Sequence, residues 1–519
     1  MLEHLGLTRE ILDRARRSRD ARFDGKFFIA VTSTRIYCRP ICPAKVASDA
    51  HVRYYASAAE AAAAGFRPCL RCRPETAPGS AAWMGTSAVV QRALRLIQDG
   101  ALNGSSIDEL AMRLGVGVRH LSRLFARHVG ASPIGVAQTR RLHFAKQLLD
   151  ETRLPITEVA LASGFGSVRR FNDVFKAMYR RPPRELRKIR GADARQGSDA
   201  EITLRLSYRP PYDWAHLHRF LTRRAIDGVE SVAAGAYART VRTAGGHAFL
   251  QVRPVAGADA LELRIRGGGS ADLLSLSSLV RRMFDLSADP AKITVALQRD
   301  PRLAALVRQR PGLRIPGTWD PFESGVRAIV GQQISVAAGR TLLTRLAERA
   351  GVRLADNAYG LSHLFPTPKS LAQSNLEDLG IPRARISALQ GFARAVAAGA
   401  IAFDASSERV MRALLELPGV GPWTAGYVAL RGLAEPDGFP AGDLILRQQA
   451  APDAAALSAR ELDARAQLWR PFRGYAVMHL WQASADSTGQ TTGKPSSPPR
   501  QSTRTLIRGP KTASVRVRP

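Results

Sequence analysis

The segment Leu-Pro-Gly-Val-Gly-Pro-Trp-Thr-Ala at 417–425 decides how the C-terminal half of the chain folds. Its two glycines, Gly419 and Gly421, allow a tight backbone turn at the start of a helix. Such a turn aims backbone N–H groups at one point, so it predicts a phosphate-binding hairpin between two helices. A carboxylate follows at Asp443, 22 residues after Gly421, in the sequence Phe-Pro-Ala-Gly-Asp-Leu.

The pairing of this hairpin with a following aspartate resembles the HhH-GPD glycosylase superfamily. Residues 201–483 are similar to AlkA-type 3-methyladenine glycosylases nearly end to end. The resemblance implies an AlkA-type β-rich subdomain at 201–270 and a helical HhH-GPD domain at 271–485. The matching stretches are Arg-Pro-Pro-Tyr-Asp-Trp at 209–214, Ala-Ile-Val-Gly-Gln-Gln-Ile-Ser-Val at 328–336, Phe-Pro-Thr-Pro at 365–368 and Tyr-Ala-Val-Met-His-Leu-Trp at 475–481.

The resemblance implies removal of alkylated purines of the 3-methyladenine type from DNA. Asp443 would stabilise the positive charge that develops on the sugar and help to orient the attacking water. The base must first be flipped out of the stack, and electron-rich rings attract a cationic base more than a neutral one. The residues implied for the base pocket are Trp423, Tyr427, Trp481, Tyr212 and Gln332. The alternative for each ring is ordinary core packing, and for Asp443 a helix cap or a salt bridge.

Several residues differ from the pattern of the superfamily, and these differences argue against some of its activities. Glycosylases of the superfamily that also cut the strand carry a lysine in the hairpin, where this chain has Trp423, so we expect a monofunctional enzyme. No cysteine follows Cys72. We therefore expect neither the iron–sulfur cluster of some relatives nor an O6-methylguanine transferase site. Gln333 stands at the position of the DNA-inserting wedge, where some members have leucine, and it either flips bases less efficiently or fills the gap by hydrogen bonding. Gly419, Gly421 and Gln333 are thus expected DNA contacts.

The four cysteines form two close pairs, Cys38 with Cys42 and Cys69 with Cys72. Two such pairs joined by a loop can place four sulfurs at the corners of a tetrahedron, as Zn(II) requires in structural sites. A metal also replaces a large core in a module of about 80 residues. The spacing predicts a zinc site, with disulfides or idle thiols as the alternative.

The sequence around the cysteines resembles the N-terminal domain of the Ada adaptive-response proteins over about 8–76. It carries Gly-Lys-Phe-Phe at 25–28, Ile-Tyr-Cys-Arg-Pro-Ile-Cys at 36–42 and Gly-Phe-Arg-Pro-Cys-Leu-Arg-Cys at 65–72. In that family the thiolate at the position of Cys38 irreversibly takes a methyl group from a DNA phosphotriester, and zinc keeps that sulfur deprotonated. The alternative is a purely structural ligand. Methylation would remove one negative charge and so raise affinity for DNA, which makes a switch a testable hypothesis.

Two stretches repeat one plan at an offset of 49 residues. The segments 107–116 and 156–165 each predict a short helix ended by glycine, followed by basic helices at about 118–128 and 167–179. The region 88–188 resembles the AraC/XylS DNA-binding domain, whose two helix-turn-helix units read adjacent major-groove segments. The alternative is two basic solvated helices in an ordinary bundle. The expected DNA contacts are Arg119, Arg123, Arg169, Arg170 and Asn172.

Composition agrees with a nucleic-acid partner. The 519 residues include 76 Lys and Arg against 44 Asp and Glu, a formal net charge of +32. This excess predicts double-stranded DNA as the partner, at alkylated sites and promoter operators, with RNA polymerase as a further candidate. No uncharged apolar run is long enough to span a membrane, and the charged N-terminus is unlike a signal peptide. We therefore predict a cytoplasmic, nucleoid-associated bacterial protein with no membrane partner.

The predicted fold class is multidomain. It combines a small α+β zinc domain, an all-α double helix-turn-helix domain, and an α+β glycosylase with an antiparallel-sheet subdomain and a helical core. Alternation of apolar and polar residues predicts strands at 202–208 and 261–266, and the pattern is helical from about 272. The predicted domains are 1–78 (zinc and methyl acceptor), 86–190 (helix-turn-helix), 201–270 and 271–485 (glycosylase), and 486–519 (disordered basic tail).

The sequence thus predicts one polypeptide that combines alkylation sensing, promoter binding and base excision. One alternative is a transcription regulator whose glycosylase-like part binds DNA without catalysis. A generic zinc-containing DNA-binding protein is a third possibility.

Overall fold

A computed structural model describes residues 7–78, 88–187, 201–451 and 455–491, with side chains to residue 486. The linkers predicted at 77–87 and 190–201 and the tail predicted at 486–519 lie largely outside these ranges. Among the described helices, none is long and apolar enough to cross a membrane.

The predicted zinc domain is a four-stranded sheet with the order β3-β1-β2-β4 and two helices. Strand β2 runs parallel to β4, so both strands end at the same edge of the sheet. Cys38 is the last residue of β2 and Cys69 directly follows β4, which brings the two cysteine pairs together. The elements are α1 (Arg9–Ser18), β1 (Phe28–Val31), β2 (Ile36–Cys38), β3 (Val52–Tyr55), α2 (Ala58–Ala63) and β4 (Arg67–Pro68).

The second domain is all helical, as predicted. Gly115 and Gly164 have φ of +71° and +80° and turn the chain between the two helices of each unit. Phe125 and Phe171 are fully buried at the centres of the two units. The helices are α3 (Ala88–Gln98), α4 (Ile107–Leu114), α5 (Val118–Val129), α6 (Pro133–Glu151), α7 (Ile156–Ala162), α8 (Val168–Tyr179) and α9 (Pro183–Leu186).

The third domain begins with an antiparallel sheet of order β5-β9-β8-β7-β6. The two strands predicted from alternation are neighbours in this sheet, with Leu204 opposite Leu263. The elements are β5 (Glu201–Ser207), α10 (Trp214–Thr222), β6 (Glu230–Ala233), β7 (Ala236–Thr243), β8 (Gly246–Pro254) and β9 (Ala260–Gly267).

A helical core follows, interrupted by one hairpin. Its helices are α11 (Leu273–Met283), α12 (Pro290–Leu297), α13 (Pro301–Gln309), α14 (Pro321–Val330), α15 (Val336–Ala350), α16 (Pro368–Gln373), α17 (Arg383–Ala397), α18 (Ser407–Leu415), α19 (Pro422–Tyr427), α20 (Leu444–Gln449), α21 (Ala459–Ala466) and α22 (Arg473–Thr491). A π-helical turn, Val428–Gly432, continues α19.

The expectation of helix throughout this region is wrong at β10 (Val352–Ala358) and β11 (Leu361–Leu364). Tyr359 and Gly360 both have positive φ, the backbone that a two-residue hairpin turn requires. Leu361 is buried with Phe249 of β8, so contact with the sheet stabilises these short strands.

The three domains contact one another through polar and charged groups. Helix α6, which joins the two helix-turn-helix units, receives the zinc domain: Tyr37 Oη lies 2.8 Å from His143 Nε2, and Arg73 Nε lies 2.9 Å from an Asp150 oxygen. Lys26 Nζ pairs with Asp289 of the third domain at 2.6 Å, and both groups are buried. The zinc domain is therefore anchored to both of its neighbours.

Candidate active site and DNA-binding surfaces

Asp443 accepts hydrogen bonds from two tryptophans. The indole Nε1 of Trp423 donates to Oδ2 over 2.8 Å, and that of Trp481 donates to Oδ1 over 3.3 Å. Oδ1 also accepts from the backbone N–H of Leu446 at 3.0 Å, so this half-buried side chain caps α20. The helix-cap interpretation therefore describes one oxygen, while the other faces the hairpin helix α19.

Three aromatic rings stand beside this carboxylate. Trp423 stacks on Tyr427 with centroids 5.4 Å apart and planes at 26°. Trp481 approaches Tyr427 from α22 with centroids 6.4 Å apart. All three side chains are only partly buried, so ring surface remains accessible. The structure thus brings together the three rings that the sequence assigns to a base pocket.

Two arginines and a further ring lie next to these three aromatic side chains. The sequence analysis did not predict them. Arg431 Nη1 donates to Tyr427 Oη, and its guanidinium carbon lies 4.9 Å from the centroid of Phe220. The guanidinium of Arg224 lies 3.9 Å from the same ring. Burial raises the pKa of Tyr427, but the positive charges of Arg431 and Arg224 lower it by a larger amount. Its pKa therefore lies below the usual 10.0. The spacing of Arg431 four residues after Tyr427 was a usable signal; Phe220, distant in sequence, offered none.

The side chain of Gln332 forms hydrogen bonds with the hairpin. Its Nε2 donates to the carbonyl of Gly419 at 3.0 Å and to Thr424 Oγ1 at 3.1 Å. Its amide donors therefore tie the end of α14 to the hairpin, which makes Gln332 a positioning residue in this structure. The neighbouring Gln333 is exposed and has φ of +56°, an uncommon backbone for a residue other than glycine. It projects from the chain at the position predicted for a wedge.

The two hairpin glycines have different reasons to be glycine. Gly419 has φ of +80°, and a Cβ there would lie 2.8 Å from the Cβ of Ala388. Gly421 has φ of −98°, and a Cβ there would meet no atom within 4 Å. The backbone of the turn therefore requires glycine at Gly419 but not at Gly421. Its missing side chain instead leaves open space before the first turn of α19.

Tyr212 lies in a different aromatic cluster. Its hydroxyl donates to the carbonyl of Phe284 at 2.8 Å, and its ring stacks on Tyr208 with centroids 4.4 Å apart. Burial raises its pKa well above 10.0. Among the described residues, its hydrogen bonds and ring contacts do not reach the three rings beside Asp443. The structure does not join this residue to the pocket.

The four cysteines meet at the edge of the first sheet. Their Sγ atoms all lie within 4.8 Å of one another. A tetrahedral zinc–thiolate site has sulfurs about 3.8 Å apart, so this donor set fits Zn(II) with small adjustments. Cys69 and Cys72 are buried, whereas Cys38 and Cys42 are partly exposed. Within the sulfur cluster, Cys42 is the more open position and Cys38 the more enclosed one.

Four family models match successive parts of the chain. They are the metal binding domain of Ada (12–75), a helix-turn-helix domain (110–189), the AlkA N-terminal domain (203–320) and the HhH-GPD superfamily base excision DNA repair protein (326–472). A Mycobacterium tuberculosis protein named as a probable bifunctional transcriptional activator/DNA repair enzyme AlkA is 39% identical over 472 residues. That match covers 90% of this chain and 95% of the relative.

The chain belongs to this bifunctional Ada/AlkA family. Its two halves also match separate Escherichia coli proteins. The DNA-3-methyladenine glycosylase 2 is 35% identical over 53% of this chain and 95% of that protein. The bifunctional transcriptional activator/DNA repair enzyme Ada is 35% identical over 28% of this chain and 40% of that protein. The zinc domain of this family member carries the Ada metal-binding model across all four cysteines, and it binds Zn(II).

The helix-turn-helix units of this Ada/AlkA family member present two polar helix faces. The second helix of each unit, α5 and α8, buries its apolar side and leaves the opposite side open. Arg123 Nη2 lies 3.0 Å from His120 Nδ1, which steadies one exposed guanidinium. The predicted DNA contacts are all exposed on these faces: Arg119, Arg123, Arg169, Arg170 and Asn172.

Proposed function

We propose that this chain excises alkylated purines from DNA, accepts methyl groups from DNA phosphotriesters, and activates transcription. One observation carries the excision proposal: Asp443 lies behind the glycine hairpin with two indole N–H donors on its oxygens. The named activities of the relatives agree with it. The proposal therefore joins a hydrolase and a one-time acceptor in one polypeptide.

Asp443 would act on the sugar. When the bond between C1′ and the alkylated purine breaks, the base leaves with the bonding electrons and positive charge remains on the sugar. The carboxylate stabilises that charge, water adds to C1′ and the water then loses a proton. The indoles of Trp423 and Trp481 hold the carboxylate in place. Because Trp423 stands where strand-cutting relatives have lysine, the product is an abasic site and the strand stays intact.

The hairpin and the α14–α15 connection would hold the DNA. The open space at Gly421 lets a phosphate approach the N-terminus of α19, where backbone N–H groups are free of intrahelical partners. Gln333 would enter the stack as the base leaves it. Gln332 would keep these two DNA-contacting segments in register, since it bonds directly to the hairpin.

Cys38 would be the methyl acceptor. Bound zinc keeps the four thiols deprotonated at neutral pH. Cys38 Sγ attacks the methyl carbon, a carbon–sulfur bond forms, and the bond between that carbon and the ester oxygen breaks to leave a phosphodiester anion. The resulting thioether is stable, so each molecule reacts once. The family resemblance assigns this role to Cys38 rather than to Cys42.

The regulatory function would follow from the helix-turn-helix domain. Exposed basic faces on α5 and α8 suit promoter DNA, and the transfer at Cys38 would raise affinity by removing negative charge. An activator must also present a surface to the transcription machinery, so RNA polymerase is the proposed protein partner. Since the proposed substrate is chromosomal DNA, we place this activity in the cytoplasm with the nucleoid.

Release of free 3-methyladenine from alkylated duplex DNA tests the excision proposal. The comparison is wild type against Asp443→Asn, because asparagine still caps α20 while the negative charge is lost. We expect rapid release by wild type, with no strand cut, and near-zero release by the variant. Equal near-zero release from both, with DNA binding retained, would favour a regulator whose glycosylase-like part only binds DNA.

A further inference from the structure

A cavity of about 350 Å³ lies where the zinc domain, the helix-turn-helix domain and the glycosylase meet. Helix α6 and helix α11 contribute most of one side, and the zinc domain closes another. Much of the lining is apolar, including Phe28, Ile97, Phe144, Leu274 and Ile315. Its size is that of a typical small-molecule site, and it is separate from Asp443 and from the cysteines.

Two arginines line this cavity without a direct ion pair, although Asp99 and Glu151 lie within electrostatic range of them. Arg140 donates from Nη1 to the carbonyl of Ile97 at 3.2 Å and from Nη2 to Ser278 Oγ at 2.6 Å. Arg281 donates from Nη1 to the carbonyl of Ser207 at 3.3 Å. Within the described ranges, neither guanidinium has a carboxylate at ion-pair distance. Both side chains are deep in the protein yet partly accessible, because they border the empty volume.

The two guanidinium groups share one wall. Ser278, which accepts from Arg140, lies one helical turn before Arg281 on α11. Burial lowers the pKa of Arg140 and of Arg281 to about 10, so both remain charged at neutral pH. Two like charges held together in a low-dielectric site are unfavourable unless an anion joins them.

The other charged groups that line the cavity have partners. Arg95 and Arg282 pair with Glu435 at 3.7 Å and with Asp99 at 3.0 Å. Glu75 lies 3.2 Å from Arg73. Asp285 accepts from Tyr475 Oη at 2.8 Å. Among the described cationic side chains that line the cavity, Arg140 and Arg281 are therefore the two without a direct ion pair.

We propose that this cavity binds a small amphipathic organic anion. A carboxylate or phosphate head would sit between Arg140 and Arg281, and an apolar body would fill the space against Phe144 and Leu274. Such a ligand touches all three domains, so it stabilises their arrangement in proportion to its affinity. The site gives the molecule an input that is independent of DNA damage.

Isothermal titration calorimetry on the full, zinc-loaded chain tests this site with four probes of matched or reduced chemistry. The probes are sodium octanoate, octanol, octylamine and inorganic phosphate. We expect octanoate to bind about tenfold or more tightly than each of the others, because a charge-assisted hydrogen bond contributes about 1.5–3 kcal/mol. Equal binding of octanol and octanoate, or phosphate binding as tight as octanoate, would overturn the assignment.

Variants locate the binding. Arg281→Gln and Arg140→Gln should each weaken octanoate binding about tenfold or more, whereas Arg281→Lys should keep part of it because the charge remains. Arg308→Gln is the matched control, since Arg308 is exposed on α13 and away from the cavity. Thermal unfolding checks that each variant is folded. If Arg281→Gln is unfolded, octanoate binding by Arg281→Lys is compared with that of wild type, and the proposal predicts that it is weaker. Unchanged octanoate binding in folded Arg281→Gln would contradict the proposal.

Discussion

The two carboxylate oxygens of Asp443 have different hydrogen-bond partners. Oδ1 caps α20 and receives the weaker indole contact from Trp481, while Oδ2 receives the shorter bond from Trp423. Hydrogen bonds to a carboxylate are stronger than neutral ones and fix its direction. The position of the carboxylate therefore depends on residues from α19 and α22 as much as on its own helix.

Trp423→Phe tests this dependence at the scale of one bond. The variant keeps a ring for the base but removes the donor to Oδ2, and loss of one charge-assisted bond predicts a base-release rate about tenfold or more slower. Single-turnover release of 3-methyladenine measures it. Trp469→Phe is the control, because its Nε1 also donates to an aspartate, Asp300, at 3.0 Å but outside the pocket. An unchanged rate in Trp423→Phe would refute the positioning role.

The two glycines of the hairpin differ in what they contribute to the fold. Gly419 is required by its left-handed backbone and by contact with Ala388 on α17. Gly421 is extended and open, so the protein itself would tolerate a side chain there. A requirement for glycine at Gly421 would therefore come from the DNA that binds the hairpin and not from the fold.

Substitution at the two glycines should separate folding from DNA binding. Gly419→Ala is expected to lower the free energy of unfolding by about 1–3 kcal/mol through backbone strain and contact. Gly421→Ala should change stability by less than about 0.5 kcal/mol, yet weaken DNA binding because its Cβ occupies the approach of the phosphate. Thermal unfolding and fluorescence anisotropy with duplex DNA measure the two effects. Full DNA affinity in Gly421→Ala would contradict phosphate binding at this turn.

Helix α6 is the element through which the zinc domain reaches the DNA-binding units. Tyr37, which precedes Cys38, is fully buried with its hydroxyl beside His143 Nε2. Burial lowers the pKa of His143 to about 4, so the imidazole is neutral at pH 7. Tyr37→Phe should therefore cost about 1 kcal/mol of unfolding free energy at neutral pH.

Chemical denaturation measures that cost. Tyr54→Phe is the matched control, because Tyr54 bonds to Arg16 and Asp13 inside the zinc domain. The Tyr37 variant should loosen the docking of the zinc domain on α6, seen as faster hydrogen exchange in both, whereas the Tyr54 variant should affect the zinc domain alone. Identical exchange patterns in the two variants would show that the contact with His143 does not hold the domains together.

At the scale of the whole molecule, buried ion pairs make the glycosylase sensitive to acid. Burial raises the pKa of Glu323, but Arg239 and Arg327 lower it more, to about 2. An unfolded glutamate titrates near pH 4.3. The folded state therefore binds fewer protons between these values. This contribution to stability is complete above about pH 4.5 and is lost as the pH falls toward 2.

Glu323→Gln removes this carboxylate charge and so measures its contribution to the free energy of unfolding. At pH 7 the variant should be less stable than wild type by about 3–5 kcal/mol, because two arginines lose a buried partner. The difference should shrink as the pH falls below about 4.5, since wild type then loses the same charge. Scanning calorimetry between pH 7 and 3 follows it, with Asp378→Asn, at an exposed pair, as the control. A difference that stays constant with pH would be inconsistent with the lowered pKa.

Local patterns predicted much of this molecule. Glycine turns, the cysteine spacing and the alternation in β5 and β9 each act over a few residues, and the corresponding elements form where predicted. The β10–β11 hairpin, the contact of Phe220 with Arg431 and the cavity between the domains depend on residues far apart in sequence. Their stability comes from tertiary contact, which no short window of sequence contains.

One experiment tests the central claim that two separate sites act on methylated DNA. The full chain is incubated with methylated duplex DNA that carries phosphotriesters, and free 3-methyladenine and the mass of the peptide containing Cys38 are measured in the same sample. We predict that Asp443→Asn loses base release and keeps the added methyl group, while Cys38→Ser shows the reverse. Wild-type protein that releases no base and gains no methyl group would contradict the account.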